Sequence, residues 1–130
     1  MKEVEESYIR GVQAIKDAEA ALSISLPMAA SRLYIAGENL AYSLLVAFHG
    51  ASSRNHGKIW NGIQKLYDSG NLGQNYKELL ESSYRMRLQA DYGRKTEIAL
   101  DKETLEKQIA SLKNFAEEVK AVLKERGFIL

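Results

Sequence analysis

Apolar residues recur at helical spacing in five stretches of the chain. In residues 3–24 and 102–126 they return at steps of three and four, with Lys and Glu on the other positions, which is the pattern of an amphipathic helix. Residues 27–48 are apolar around most of the helical circumference, which predicts a central helix with neighbours on several sides. A shorter third helix is predicted over residues 57–68, and a fourth helix over residues 75–92. The seam of the last helix consists of Leu105, Ile109, Leu112, Ala116, Val119 and Leu123.

Turn-forming residues separate these stretches. Pro27 suits the first turn of the second helix, Asp101 is a good N-cap for the last helix, and Gly127 ends it. Residues 93–100 form a polar linker, and no stretch alternates apolar and polar residues as a strand would. The sequence therefore predicts one all-α domain over residues 1–130. Its expected architecture is an antiparallel up-and-down bundle of four long helices plus one short helix.

Composition excludes several kinds of site. The 130 residues contain no cysteine and two histidines, neither of which follows a carboxylate by three positions, so no metal site is expected. No glycine-rich phosphate loop is present, and no cofactor is predicted. The acidic N-terminus lacks the apolar core of a signal peptide, and Arg32, Glu38 and Asn39 interrupt the longest apolar region. These features predict a cytoplasmic protein without a membrane span.

Charge is unevenly distributed along the chain. Residues 49–95 carry eight Lys/Arg and four Asp/Glu, a local charge of +4, whereas the flanks carry ten basic and thirteen acidic residues. A basic region attracts phosphates, which nucleic acids display. An ordinary solvated surface accounts for the same charge pattern.

The candidate chemistry is concentrated in residues 84–93, which contain two arginines, an aspartate and two tyrosines at the end of a predicted helix. Arginine binds phosphate and carboxylate groups through a planar fork of donors. A functional interpretation makes Arg85 and Arg87 phosphate ligands, while Asp91 or Tyr92 handles a proton. Arg85, Arg87, Asp91 and Tyr92 are therefore the predicted catalytic residues.

Structural interpretations of the same residues remain open. Arg87 and Asp91 are spaced four apart, which favours an intrahelical ion pair worth about 0.2–0.5 kcal/mol. Together with Arg32 and Glu38 of the second helix, they could instead form a partly buried ion network that holds two helices in register. Arg32, Glu38 and His56 are supporting site candidates.

Three short segments resemble one known family. Residues 87–92 look like the R-x-x-A-D-Y signature of a small subfamily of HEPN domains (higher eukaryotes and prokaryotes nucleotide-binding). Residues 31–36 resemble the second-helix pattern of that subfamily, and His56 with Gly57 resembles the start of its third helix. The order and spacing of these segments extend the resemblance over roughly residues 5–125.

The resemblance implies a helical bundle that is usually dimeric and belongs to toxin–antitoxin or defence systems. Many HEPN proteins are metal-independent endoribonucleases with an arginine and a histidine four to six residues apart. Here Arg85 and Asp91 have that span, but aspartate replaces histidine. An aspartate beside two arginines is expected to be ionised, so it could accept a proton but would donate one poorly. His56 is the substitute proton donor available in the sequence.

The sequence thus leaves three functional hypotheses. The first is a homodimer that binds or cleaves RNA, or binds a nucleotide, without a metal. The second is a non-catalytic interaction module that docks a minimal nucleotidyltransferase, because in some HEPN proteins a tyrosine just beyond the motif accepts a nucleotide, and Tyr92 lies one position nearer. The third is a structural dimer with an ion network.

Overall fold

The computed structural model describes residues 2–93 and 100–130. Within them the chain forms the helices α1 (Lys2–Ala21), α2 (Leu26–His49), α3 (His56–Asp68), α4 (Lys77–Tyr92) and α5 (Lys102–Glu125). No strand occurs in this part of the chain, so the predicted all-α class is confirmed. Most of the predicted linker, at positions 94–99, lies outside the described residues.

Local sequence signals set the helix ends. Ser25, Asn55 and Asp101 each accept a hydrogen bond from the backbone N–H three residues later, at 3.3, 3.1 and 2.8 Å, and so cap α2, α3 and α5. Gly93 follows α4 and Gly127 follows α5, with φ of 64° and 90°. Because glycine enters this left-handed region without a Cβ clash, both positions allow the chain to leave the helix.

All the other helices pack against α2. α4 runs antiparallel to α2, since Asp91 near the end of α4 bonds Ser31 near the start of α2. α5 runs antiparallel to α4, because the Tyr76 hydroxyl bonds Glu118 at 2.7 Å and Ser82 accepts from Gln108 at 2.8 Å. The observed architecture is the predicted up-and-down bundle, with the short α3 laid across α2 and α4.

Two glycines allow helices to approach α2 closely. A Cβ on Gly11 would lie 2.8 Å from the Cγ of Leu40, and a Cβ on Gly37 would lie 3.0 Å from Leu80. These distances are at or below the limit for real side chains, so the glycines are sites of tight helix packing. The cost of a mid-helix glycine, about 1 kcal/mol relative to alanine, is offset there by contacts with the neighbouring helix.

The apolar seam of α5 is core, as predicted. Leu105, Leu112, Val119 and Leu123 are fully buried, and Ile109 and Ala116 are at most 6% exposed. Leu112 also lies 3.4 Å from the Cβ position of Gly37, which places it between α5 and α2.

Replacing Leu112 by alanine is expected to lower the free energy of unfolding by about 2–5 kcal/mol, because a fully buried leucine would leave a cavity. Denaturant unfolding measures this change. Ser111→Ala, at an exposed position on the same helix, is the control and should stay within about 0.5 kcal/mol of the wild type. A loss below about 1 kcal/mol for the Leu112 variant would show that α5 is peripheral to the bundle.

Candidate functional site

The Arg87 and Asp91 side chains form an ion pair on α4. Arg87 Nε lies 3.1 Å from Asp91 Oδ2, and each side chain is 33% exposed. The second carboxylate oxygen, Oδ1, accepts a hydrogen bond from the Ser31 hydroxyl of α2. Both oxygens of Asp91 are therefore used, one within α4 and one across to α2.

The Arg87 guanidinium also contacts an aromatic ring of α2. Its Cζ lies 4.5 Å from the centroid of the Tyr34 ring, within the range of a cation–π interaction. Tyr34 is only 9% exposed, so its ring is held in place by packing. We call Ser31, Tyr34, Arg87 and Asp91 the Arg87 cluster.

Tyr34 connects this cluster to Glu38. Burial raises the pKa of the Tyr34 phenol well above its usual value, and so do the hydrogen bond to Glu38 and the negative charge of that residue. Arg87 acts in the opposite direction but does not outweigh them. Tyr34 is therefore a protonated donor at neutral pH and cannot serve there as a general base.

His56 lies in an aromatic group next to the Arg87 cluster. Its ring stacks on Tyr84 at 4.4 Å and contacts Trp60 at 4.9 Å, while Tyr84 contacts Tyr34 at 5.7 Å. His56, Trp60, Tyr34 and Glu38 line part of a cavity of about 10 Å³, which has room for about one water molecule. His56 thus reaches the cluster through Tyr84 and Tyr34, and its ring contacts are with aromatic partners and not with Asp91.

The remaining predicted residues lie at the surface. Arg85 is exposed and two positions before Arg87, a spacing that puts the two side chains on different faces of α4. Arg32 is exposed and forms no ion pair with any described residue, so it stays outside the anticipated ion network. Tyr92 is 63% exposed beside Asp91. The sequence predicted two arginines beside Asp91. Among the described residues the Asp91 carboxylate pairs with one arginine, Arg87, and its second oxygen bonds the Ser31 hydroxyl.

Sequence reasoning did not select Ser31 and Tyr34 as site residues, although both lie in the segment that carries the family resemblance. A polar Ser31 three residues before a tyrosine in a largely apolar helix was the available signal. Their partners are on α4, however, and that pairing depends on how the two helices are aligned.

Other kinds of site receive no support from the described residues. They contain no group of three or more His, Cys, Asp or Glu side chains that could hold a metal ion. None of the described helices has the length and apolar character needed to cross a membrane.

No protein-family model matches the chain, and no curated protein matches it.

Replacing Tyr34 by phenylalanine should lower the free energy of unfolding at pH 7 by about 1 kcal/mol, because Glu38 loses its donor. The pH dependence has a definite sign. The pKa of Tyr34 is raised by folding, so its stabilising contribution is complete below the unfolded phenol pKa of about 10 and is lost as pH rises above it. Wild-type stability should therefore fall more steeply above pH 10 than that of the variant.

Denaturant unfolding from pH 7 to about pH 11 measures both effects. Tyr92→Phe, at a largely exposed position, is the control and should change stability at pH 7 by less than about 0.5 kcal/mol. Parallel pH profiles for the wild type and Tyr34→Phe would contradict the proposed Tyr34–Glu38 link.

Proposed function

We propose that this chain is a HEPN-like protein that binds RNA, and cleaves it without a metal, through the Arg87 cluster. The observation that carries the proposal is a partly exposed guanidinium held beside a carboxylate at the edge between α2 and α4. Exposed Arg32 and Arg85 add positive charge to the same two helices, which favours an anionic ligand.

Arg87 is the phosphate ligand in this proposal. Asp91 uses the Nε–H of Arg87, so the two terminal nitrogens carry the donors that would reach a phosphate. The Tyr34 ring and Asp91 together restrict the guanidinium to one orientation. A donor fork already held in place loses less conformational entropy when it binds a ligand.

Asp91 is the proton acceptor. It would take the proton of a ribose 2′-hydroxyl as that oxygen attacks the adjacent phosphorus. The 2′-O–P bond forms, the bond from phosphorus to the 5′-oxygen breaks, and the leaving oxygen takes a proton from water. Arg87 would stabilise the negative charge on the phosphoryl oxygens. In line with the resemblance, we place this activity in a cytoplasmic homodimer of a toxin–antitoxin or defence system.

A second function is favoured by the exposure of Tyr92. Tyr92 is 63% exposed next to Asp91, at the end of α4. An accessible phenol beside a carboxylate and an arginine suits attack on the α-phosphorus of a nucleoside triphosphate, with pyrophosphate as leaving group and the phenolic proton passing to Asp91. In this alternative the protein is a docking module that a minimal nucleotidyltransferase modifies.

Arg87→Ala is expected to weaken RNA binding, and to reduce any cleavage, by about 10-fold or more, because a charge-assisted contact to phosphate is lost. Fluorescence anisotropy and gel analysis of labelled RNA, both in a chelating buffer, measure the two effects. Arg10→Ala is the matched control, since Arg10 is an exposed arginine on α1 and its loss changes net charge equally. Equal RNA binding by the wild type and Arg87→Ala would overturn the proposal.

The proposal also predicts a homodimer. Light scattering of the wild type at tens of micromolar should give the mass of a dimer.

The docking alternative predicts an adduct on Tyr92. Incubation with ATP and a nucleotidyltransferase encoded beside this protein should add a nucleotide that mass spectrometry locates on Tyr92, and Tyr92→Phe should abolish it. Tyr67→Phe, which removes another exposed tyrosine, should leave the adduct in place. An active transferase that leaves Tyr92 unmodified, or modifies another residue, would eliminate this alternative.

A further inference from the structure

The Ser31 hydroxyl is bonded differently from other helical serines of this chain. Ser43, Ser82 and Ser83 each donate to a backbone carbonyl three or four residues earlier in the same helix, at 2.7–3.0 Å. This is the usual local bond of a helical serine. Ser31 instead donates across to Asp91 of α4, at a carboxylate whose side chain is one-third exposed.

We propose that Ser31 occupies, in the free protein, the place where Asp91 binds the 2′-hydroxyl of a ribonucleotide. Ser31 and Asp91 would then determine the preference of the site for RNA over DNA. This inference rests on the proposed function, because it assigns one part of the same ligand to one oxygen of Asp91.

The chemistry of the two hydroxyls supports the exchange. A serine hydroxyl and a ribose 2′-hydroxyl are both alcohols that donate one hydrogen bond to a carboxylate oxygen. The 2′-hydroxyl is also the group by which proteins distinguish RNA from DNA. Deoxyribose has no such donor, so a DNA strand could not replace Ser31 on Oδ1.

The two oxygens of Asp91 have different partners, which suits the two parts of a nucleotide. Oδ2 holds Arg87 at 3.1 Å, and Oδ1 holds the hydroxyl of Ser31. In an RNA strand the 3′-phosphate and the 2′-hydroxyl of each ribose are on adjacent carbons of the sugar. Its phosphate could therefore meet Arg87 while its hydroxyl meets Oδ1.

Ser31 can leave Oδ1 at low cost. A helical serine has a second acceptor in the carbonyl four residues earlier, here that of Pro27, and reaches it by rotation about χ1. Ser31 is also only half-buried, at the exposed end of the α2–α4 contact. The exchange thus replaces one hydrogen bond to Asp91 by another without leaving the serine unpaired.

The test compares two labelled oligonucleotides of identical mixed sequence, one with ribose and one with 2′-deoxyribose throughout, in a chelating buffer. Ser31→Ala should bind the ribose strand about 3- to 10-fold more tightly than the wild type does, because no internal hydroxyl competes for Oδ1. Its affinity for the deoxyribose strand should change less than about 2-fold. Ser31→Thr, which keeps a hydroxyl, should resemble the wild type, and Ser82→Ala is the control for loss of a serine elsewhere.

The outcomes separate this inference from the proposed function. If both strands bind, Arg87→Ala weakens both, and Ser31→Ala leaves their ratio unchanged, the site binds phosphate but the Ser31 inference is wrong. A Ser31→Ala variant that binds both strands equally more tightly also overturns it. If neither strand binds the wild type or any variant, the proposed function fails and this inference fails with it.

Discussion

The burial of α2 is the constraint on which the rest of the structure depends. Four helices cover it, and most of its residues from Ala29 to Val46 are buried. A polar group on such a helix must find a partner or lie at an edge, because an unpaired buried polar group is costly. Glu38 raises the pKa of the Tyr34 phenol, Tyr42 donates to Glu3, and Ser43 bonds the Leu40 carbonyl.

Tyr34 and Tyr42 of α2 have the same two kinds of neighbour. In each case a glutamate raises the pKa of the phenol while an arginine lies over the ring: Arg87 at 4.5 Å from Tyr34 and Arg54 at 3.5 Å from Tyr42. For Tyr42 the hydrogen bond to Glu3 is the main reason that its pKa is raised. Tyr42 thus attaches both Glu3 of α1 and Arg54 of the loop after α2 to one side chain of α2, which is a structural task. The Arg87 cluster differs by adding Asp91 and Ser31, and that addition marks it as the candidate site.

Whether the sequence could predict an interaction depends on how far apart its two residues are along the chain. The α5 seam and the Arg87–Asp91 pair depend on spacings of three or four residues, so helical periodicity was sufficient for both. The bonds from Ser31 to Asp91 and from Arg87 to Tyr34 join residues about sixty and fifty positions apart. They depend on the register of α4 along α2, which close packing at Gly37 helps to set. Periodicity identifies the faces of two helices but not their relative shift.

The Arg87 cluster offers a proton acceptor but no well-placed general acid. Asp91 can accept a proton and Arg87 can stabilise negative charge, but the pKa of the Tyr34 phenol is raised by burial and by Glu38. His56 is stacked on Tyr84 and beside Trp60, and leaving such a group costs about 0.5–1.5 kcal/mol for each ring pair. A positioned general acid usually contributes about 10²- to 10⁴-fold to the rate. In the reaction proposed above water would protonate the leaving oxygen, so we expect any RNA cleavage by this cluster to be slow.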